Sequence, residues 1–158
     1  MLINTNMNTA QNKYLRTAGI LTAIASLMHI GIVIGGPDWY RFFGAGEMMA
    51  MQAEAGMIEP IITTLFIAFI LGIWSLYAFS GAGMIFKMPI TAIALTVIGS
   101  IFLLRGLLGI PLILTFNHPY LNELQEKMIF MVISSLICLL LGYLYLKGAY
   151  CKKKSINE

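Results

Sequence analysis

The chain has 158 residues, of which 59% are hydrophobic and only 11% charged, with a formal net charge of +3. Soluble domains carry roughly 25% charged residues, so an ordinary water-facing surface is excluded. A charge this small and this dispersed also gives no nucleic-acid-binding surface.

Four apolar segments, at about 17–36, 60–80, 90–116 and 128–147, are each long enough to cross a bilayer, which takes about 20 residues in a helix. The connections are short, so the expected architecture is an all-α, integral membrane four-helix up-down bundle forming a single transmembrane domain over 1–158. The first segment exceeds the length of a signal-peptide core. It ends in Gly35-Gly36-Pro37-Asp38 rather than a small-x-small cleavage site, and so reads as a retained span.

The longest connection, 37–58, is rich in Met, Ala and aromatics. A short helix is expected over about 47–57, with Glu47 and Glu54 on one face and Met48, Met51 and Ala55 on another. Such a segment lies in the membrane interface or folds back over the bundle. Trp39, Tyr40, Arg41 and Glu47 make it either a surface for a partner or a plain connector. Trp39, Tyr40, Phe42 and Phe43 mark the outer border as belt aromatics; Trp74, Tyr77, Tyr143 and Tyr145 mark the inner one.

The second span opens with Glu59-Pro60, followed by Thr63 and Thr64. The third carries Arg105 within IGSIFLLRGLLGIPLILTF. A guanidinium stays charged in any protein environment, so at membrane depth something polar must answer it. Gly106 and Gly109 permit close helix approach there. Pro111 removes a donor, frees the carbonyl of Leu107, and is a point where the straight helix can end. His118 falls in an outer turn ended by Pro119. The fourth span carries Ser134, Ser135 and Cys138.

Basic residues separate by side. Seven (Lys13, Arg16, Lys87, Lys147, Lys152, Lys153 and Lys154) fall on one side of a four-span arrangement and two (Arg41 and Lys127) on the other. This predicts cytoplasmic N- and C-termini. Six acids, Asp38, Glu47, Glu54, Glu59, Glu123 and Glu126, fall outside, against Glu158 inside.

Depth follows from a rise of about 1.5 Å per residue. It places His29, Thr63, Arg105 and Ser135 in the outer half of the bundle, whereas the inner half holds little beyond Thr22, Ser75, Thr91 and Thr96. Thr22, Ser26 and His29 recur on one helical face. A polar cluster centred on Arg105 and open to the outside is therefore expected. Glu59 is its first-ranked partner, because a carboxylate accepts the guanidinium fork; Asp38 and Glu54 follow, with His29 adjacent. A purely structural alternative is a buried ion pair that fixes helix packing.

The sequence holds no phosphate loop, no nucleophile elbow, no redox Cys pair and no metal-ligand spacing. No catalytic residue, cofactor or metal is expected, and nucleic acid is not a partner.

The stretches GILTAIASLMHIGIVIGGPDWYRFFGAGEMMA, SLYAFSGAG and FLLRGLLGIP resemble an uncharacterised family of small bacterial four-span membrane proteins. The chain is also similar to DoxX-like proteins in its four-helix plan and Gly/Pro-interrupted first outer loop. The resemblance implies a multi-pass protein of the bacterial inner membrane, a partner of a redox or envelope system, and supplies no site residues.

Two functions stand first. One is binding of a lipid- or quinone-like apolar ligand, or of a membrane partner, through the polar cluster around Arg105. The other is an accessory or immunity-type interaction protein acting through 37–58. A small transporter and a membrane enzyme using His29 and Glu59 rank below them. The expected partners are membrane lipids, an apolar small molecule, and a membrane protein or a second copy of the chain.

Overall fold

A computed structural model describes the backbone of residues 2–115 and 128–157, which is helical apart from short turns, with no strand among these residues. The helices are α1 (Leu2–Gly35), α2 (Pro37–Phe42), α3 (Glu47–Glu54), α4 (Glu59–Gly81), α5 (Thr91–Thr115) and α6 (Met128–Asn157). Four of them contain stretches long and apolar enough to cross a membrane: Lys13–Gly35, Glu59–Gly81, Thr91–Gly109 and Phe130–Lys152. Large apolar side chains cover their outward faces; Leu27 is 65% exposed and Phe66 62%. Lipid, rather than water, is the solvent such a surface suits.

The largest interfaces join α5 to α6 and α1 to α4, and smaller ones join α1 to α6 and α4 to α5. The members of each large pair run antiparallel. On α1 and α4, Ser26 donates to the carbonyl of Ala68 at 2.7 Å, and Ser75 donates to the carbonyl of Gly19 at 2.9 Å. On α5 and α6, Leu139 lies against Gly106, Leu103 against Gly142, and Leu146 against Gly99. Each step forward along α5 thus meets a step backward along α6. Small residues at these crossings let the backbones close up, the packing that replaces the hydrophobic effect inside lipid.

Gly36 sits at φ 69°, a conformation that favours glycine, and it turns the chain from α1 straight into α2. Pro37 occupies the first turn of α2, where its missing N–H costs nothing. Gly44, also at φ 69°, turns α2 toward α3 and lies under the ring of Phe130. The 37–58 segment therefore folds back as a cap over the end of the bundle. Its own small core is Ile32, Tyr40 and Ala50. The α3 helix covers 47–54 of the expected 47–57, while α2 is an additional element.

The main core lies toward the other end and includes Leu15, Leu95, Phe102, Leu141 and Tyr145. Tyr145 reads from the sequence as an inner belt residue, but it is fully buried. Its hydroxyl lies 3.1 Å from Thr22 Oγ1 and 3.0 Å from the carbonyl of Trp74, and can donate to either. The Thr22 hydroxyl donates in turn to the carbonyl of Ala18 at 2.8 Å. Trp74, a second expected belt residue, is half-buried against this core and stacks edge-on with Phe102. The half of the bundle away from the cap thus carries a satisfied polar knot joining α1, α4 and α6. Tyr143 is the exposed neighbour, 52% accessible, and packs edge-on against Tyr14.

Pro111 does not end α5, which continues to Thr115. A proline forfeits one hydrogen bond, and a helix at membrane depth has no water to take its place as a partner if it unwinds.

Candidate functional site

Two polar arrangements stand out, both toward the capped end. The first is the ion network of the cap. Arg41, in the last turn of α2, donates Nε and Nη2 to Glu47, with Nη2 to Oε1 at 2.6 Å, and Nη1 to Glu54 Oε1 at 2.7 Å. Asp38 lies 3.7 Å from the same guanidinium. The hydrogen bonds to Glu47 and then Glu54 hold the Arg41 pKa above its ordinary value. The bond from Arg41 holds the Glu54 carboxyl below its usual range. All these groups are substantially exposed, so the network orients α3 against α2 more than it stabilises the fold.

A carboxylate with a depressed pKa stabilises the folded form above the ordinary carboxylate pKa. That contribution is lost as pH falls through the depressed value. Amide exchange in α3 should therefore be slower in wild type than in Arg41→Gln protein at neutral pH. The gap between the two proteins should close as pH drops below the carboxylate range. A gap that persists at low pH would show that α3 is held by its apolar face instead.

The second arrangement is the seam between α5 and α6. Arg105 is exposed there, and its Nη2 donates to Ser134 Oγ at 3.2 Å. Ser135, 2% exposed, has a hydroxyl with no partner among the described residues. Gly109, one turn further out on α5, faces both: a Cβ at that position would lie 3.2 Å from Ser135 Oγ and 3.8 Å from Arg105 Nη1. Arg105 is ten residues before the end of α5 and Ser134 six residues after the start of α6. These offsets correspond to about 15 and 9 Å from those helix ends, so the guanidinium reaches along the seam toward the capped end.

The residues expected in one cluster divide between these places. Arg105 and Ser135 meet at the seam. Asp38 and Glu54 belong to Arg41, and Glu59, exposed at the head of α4, makes no ion pair with Arg105. His29 is half-buried on α1, its Nδ1 2.8 Å from the carbonyl of Ala25. The α1 helix packs on α4 and α6, which places it across the bundle from α5. Thr63 is exposed, and its neighbour Thr64 is the buried one. Of the partner-loop residues, Trp39 is 46% exposed, whereas Tyr40 is 1% exposed and serves as the floor of the cap. Tyr40 Oη is a second buried hydroxyl with no partner among the described residues. His118, Glu123, Glu126 and Lys127 lie outside the described residues.

The role of Arg41 as a hub is not evident from the sequence, although Glu47 and Glu54 on one helical face, six and thirteen residues beyond a lone arginine, carry its signal. Among the described residues no group of three or more His, Cys, Asp and Glu converges as a metal site. No family model, curated protein or solved structure matches this chain.

Proposed function

We propose that this chain is a multi-pass protein of the bacterial inner membrane, DoxX-like in plan. In this reading both ends are cytoplasmic, and the outer half of the α5–α6 seam holds an apolar ligand with a polar head, of the lipid or quinone class. The observation that carries the reading is Arg105. It is a permanent cation within a membrane-length helix, exposed at a seam, whose described partner is a neutral serine. Intramembrane charge of this kind marks binding sites and pathways. The orientation rests on the seven basic residues on one side against two on the other.

Native mass spectrometry of gently solubilised protein tests the reading. Wild type should carry a bound small mass that Arg105→Leu loses, while the thermal midpoints of the two proteins stay close. If the variant keeps the mass, or unfolds, Arg105 is not the ligand's anchor.

A second reading, an interaction protein acting through 37–58, is favoured by the apolar outer surface of the cap. Phe42 is 75% exposed, Met48 56% and Met51 58%, on a segment braced by Arg41. A photo-crosslinker at Met48 should then capture one protein, whether a membrane partner or a second copy. Lipid adducts alone would count against it.

A further inference from the structure

We infer that the ligand of the α5–α6 seam is an anionic amphiphile, drawn sideways from the bilayer, with one of its head oxygens seated over Gly109. This rests on the function proposed above and narrows its ligand class.

The charge argument comes first. Arg105 cannot shed its proton, and no carboxylate among the described residues meets it. Asp38 and Glu54 are held by Arg41 on the cap, and Glu59 makes no ion pair among the described residues. A neutral quinone would leave the cation uncompensated within the hydrocarbon. A phosphate or carboxylate head neutralises it there and accepts charge-assisted hydrogen bonds from the guanidinium fork.

The donor geometry agrees. Ser135 Oγ is buried without a partner among the described residues, and a buried hydroxyl left unpaired is costly. That oxygen and Arg105 Nη1 lie 3.2 and 3.8 Å from a single point, the place where a Cβ of residue 109 would stand. Because residue 109 is glycine, no side chain of its own stands between these two donors and the seam, and an acceptor oxygen can settle above its Cα. Glycine at a close backbone approach to a ligand is one of the established uses of the residue.

The seam is also open to acyl chains. Leu104 and Leu108 on α5 and Ile133 and Ile137 on α6 are 49–56% exposed beside Arg105. A tail lying along them stays in the hydrocarbon while its head meets the guanidinium. Entry therefore needs no passage through the bundle, whose interior is filled by the Tyr145 core.

The test is a titration of delipidated protein, in neutral detergent, by native mass spectrometry. The probes are phosphatidylglycerol, phosphatidylethanolamine, oleate and an isoprenoid benzoquinone, each against wild type, Arg105→Gln and Gly109→Ala. Gly109→Ala fills the seat with a contact only slightly tight and favours helix, so it should fold. The expected result is retention of phosphatidylglycerol, oleate or both at least about tenfold above the two neutral probes, with both variants losing that retention. Phosphatidylglycerol alone would identify a lipid phosphate, and oleate alone a free carboxylate. Equal retention of a neutral probe, lost in Arg105→Gln, would overturn the anionic assignment and leave the proposed function standing. Retention unchanged in both variants would overturn both.

Discussion

Gly106→Leu should prevent the bundle from forming, and Gly106→Ala should lower its thermal midpoint clearly. A Cβ on residue 106 would stand 2.7 Å from Leu139 Cγ and 3.0 Å from the backbone nitrogen of Leu139. A side chain can rotate away, but a helix backbone cannot without moving its whole element. The contact is also reciprocal: a Cβ on Gly142 would stand 2.7 Å from Leu103 Cγ and 2.9 Å from its backbone nitrogen. Each helix offers a glycine to the leucine of the other, so displacement at one crossing loosens the next. Overpacking of a close-fitted core costs about 1–3 kcal/mol even for small additions. Circular dichroism melts in detergent would read the effect, with Gly109→Ala as the matched control because its nearest neighbour is a serine hydroxyl at 3.2 Å. A Gly106→Ala midpoint equal to wild type would mean that α5 and α6 do not meet at this crossing.

Tyr145→Ala should be nearly as damaging, for a different reason. The Tyr145 ring lies 5.7 Å from that of Phe102, which stacks on Trp74 at 5.1 Å, so one side chain joins α6 to α5 and α4. Truncating a buried aromatic costs about 3–5 kcal/mol, because the space it vacates is only partly refilled. The hydroxyl is a smaller part of this. Interhelical hydrogen bonds within a membrane average about 0.6 kcal/mol and reach about 1.7. Tyr145→Phe should therefore keep most of the stability and Tyr145→Ala little of it, as measured by denaturant titration in mixed micelles. If Phe and Ala substitutions cost the same, the hydroxyl bonds to Thr22 and Trp74 dominate and the packing account is wrong.

Spans and faces are legible in the sequence to different degrees. The four apolar runs give the four long helices because hydropathy and length alone decide whether a segment suits the bilayer. Their ends are less legible. The α1 helix extends from Leu2 well before the apolar run, since nothing between Leu2 and Gly35 forces the helix to stop. Likewise α6 reaches Asn157 through the basic tail. The start of α2 is signalled by Gly36-Pro37, a pairing that resembles a simple break until the turn geometry is known.

The polar site illustrates a sharper limit. Helix rise gives the depth of His29, Arg105 and Ser135, but depth says nothing about which helix lies beside which. His29 and Arg105 stand at comparable levels on helices across the bundle from each other. The rotation of α5 against α6 is set by Gly99, Gly106 and Gly142, whose lack of a side chain carries no hydropathy signal. The acids of the cap are equally ambiguous from spacing alone. Asp38, Glu47 and Glu54 go to Arg41 because that arginine is next to them on the folded cap, whereas Arg105 lies a helix further away.

The division into two tightly joined antiparallel pairs also bears on biogenesis. The partners of each pair are consecutive long helices, so each pair is a hairpin whose contacts are local in the chain. The first hairpin, with its serine-to-carbonyl bonds between α1 and α4, is complete before α5 has been synthesised. It can leave the insertion machinery as a finished half, displaying Leu15, Ala18 and Thr22 as a ready-made surface. The second hairpin then docks as a unit, and Tyr145 is the side chain that completes the join. Assembly in this order never requires a lone helix to wait in lipid for a partner encoded far downstream.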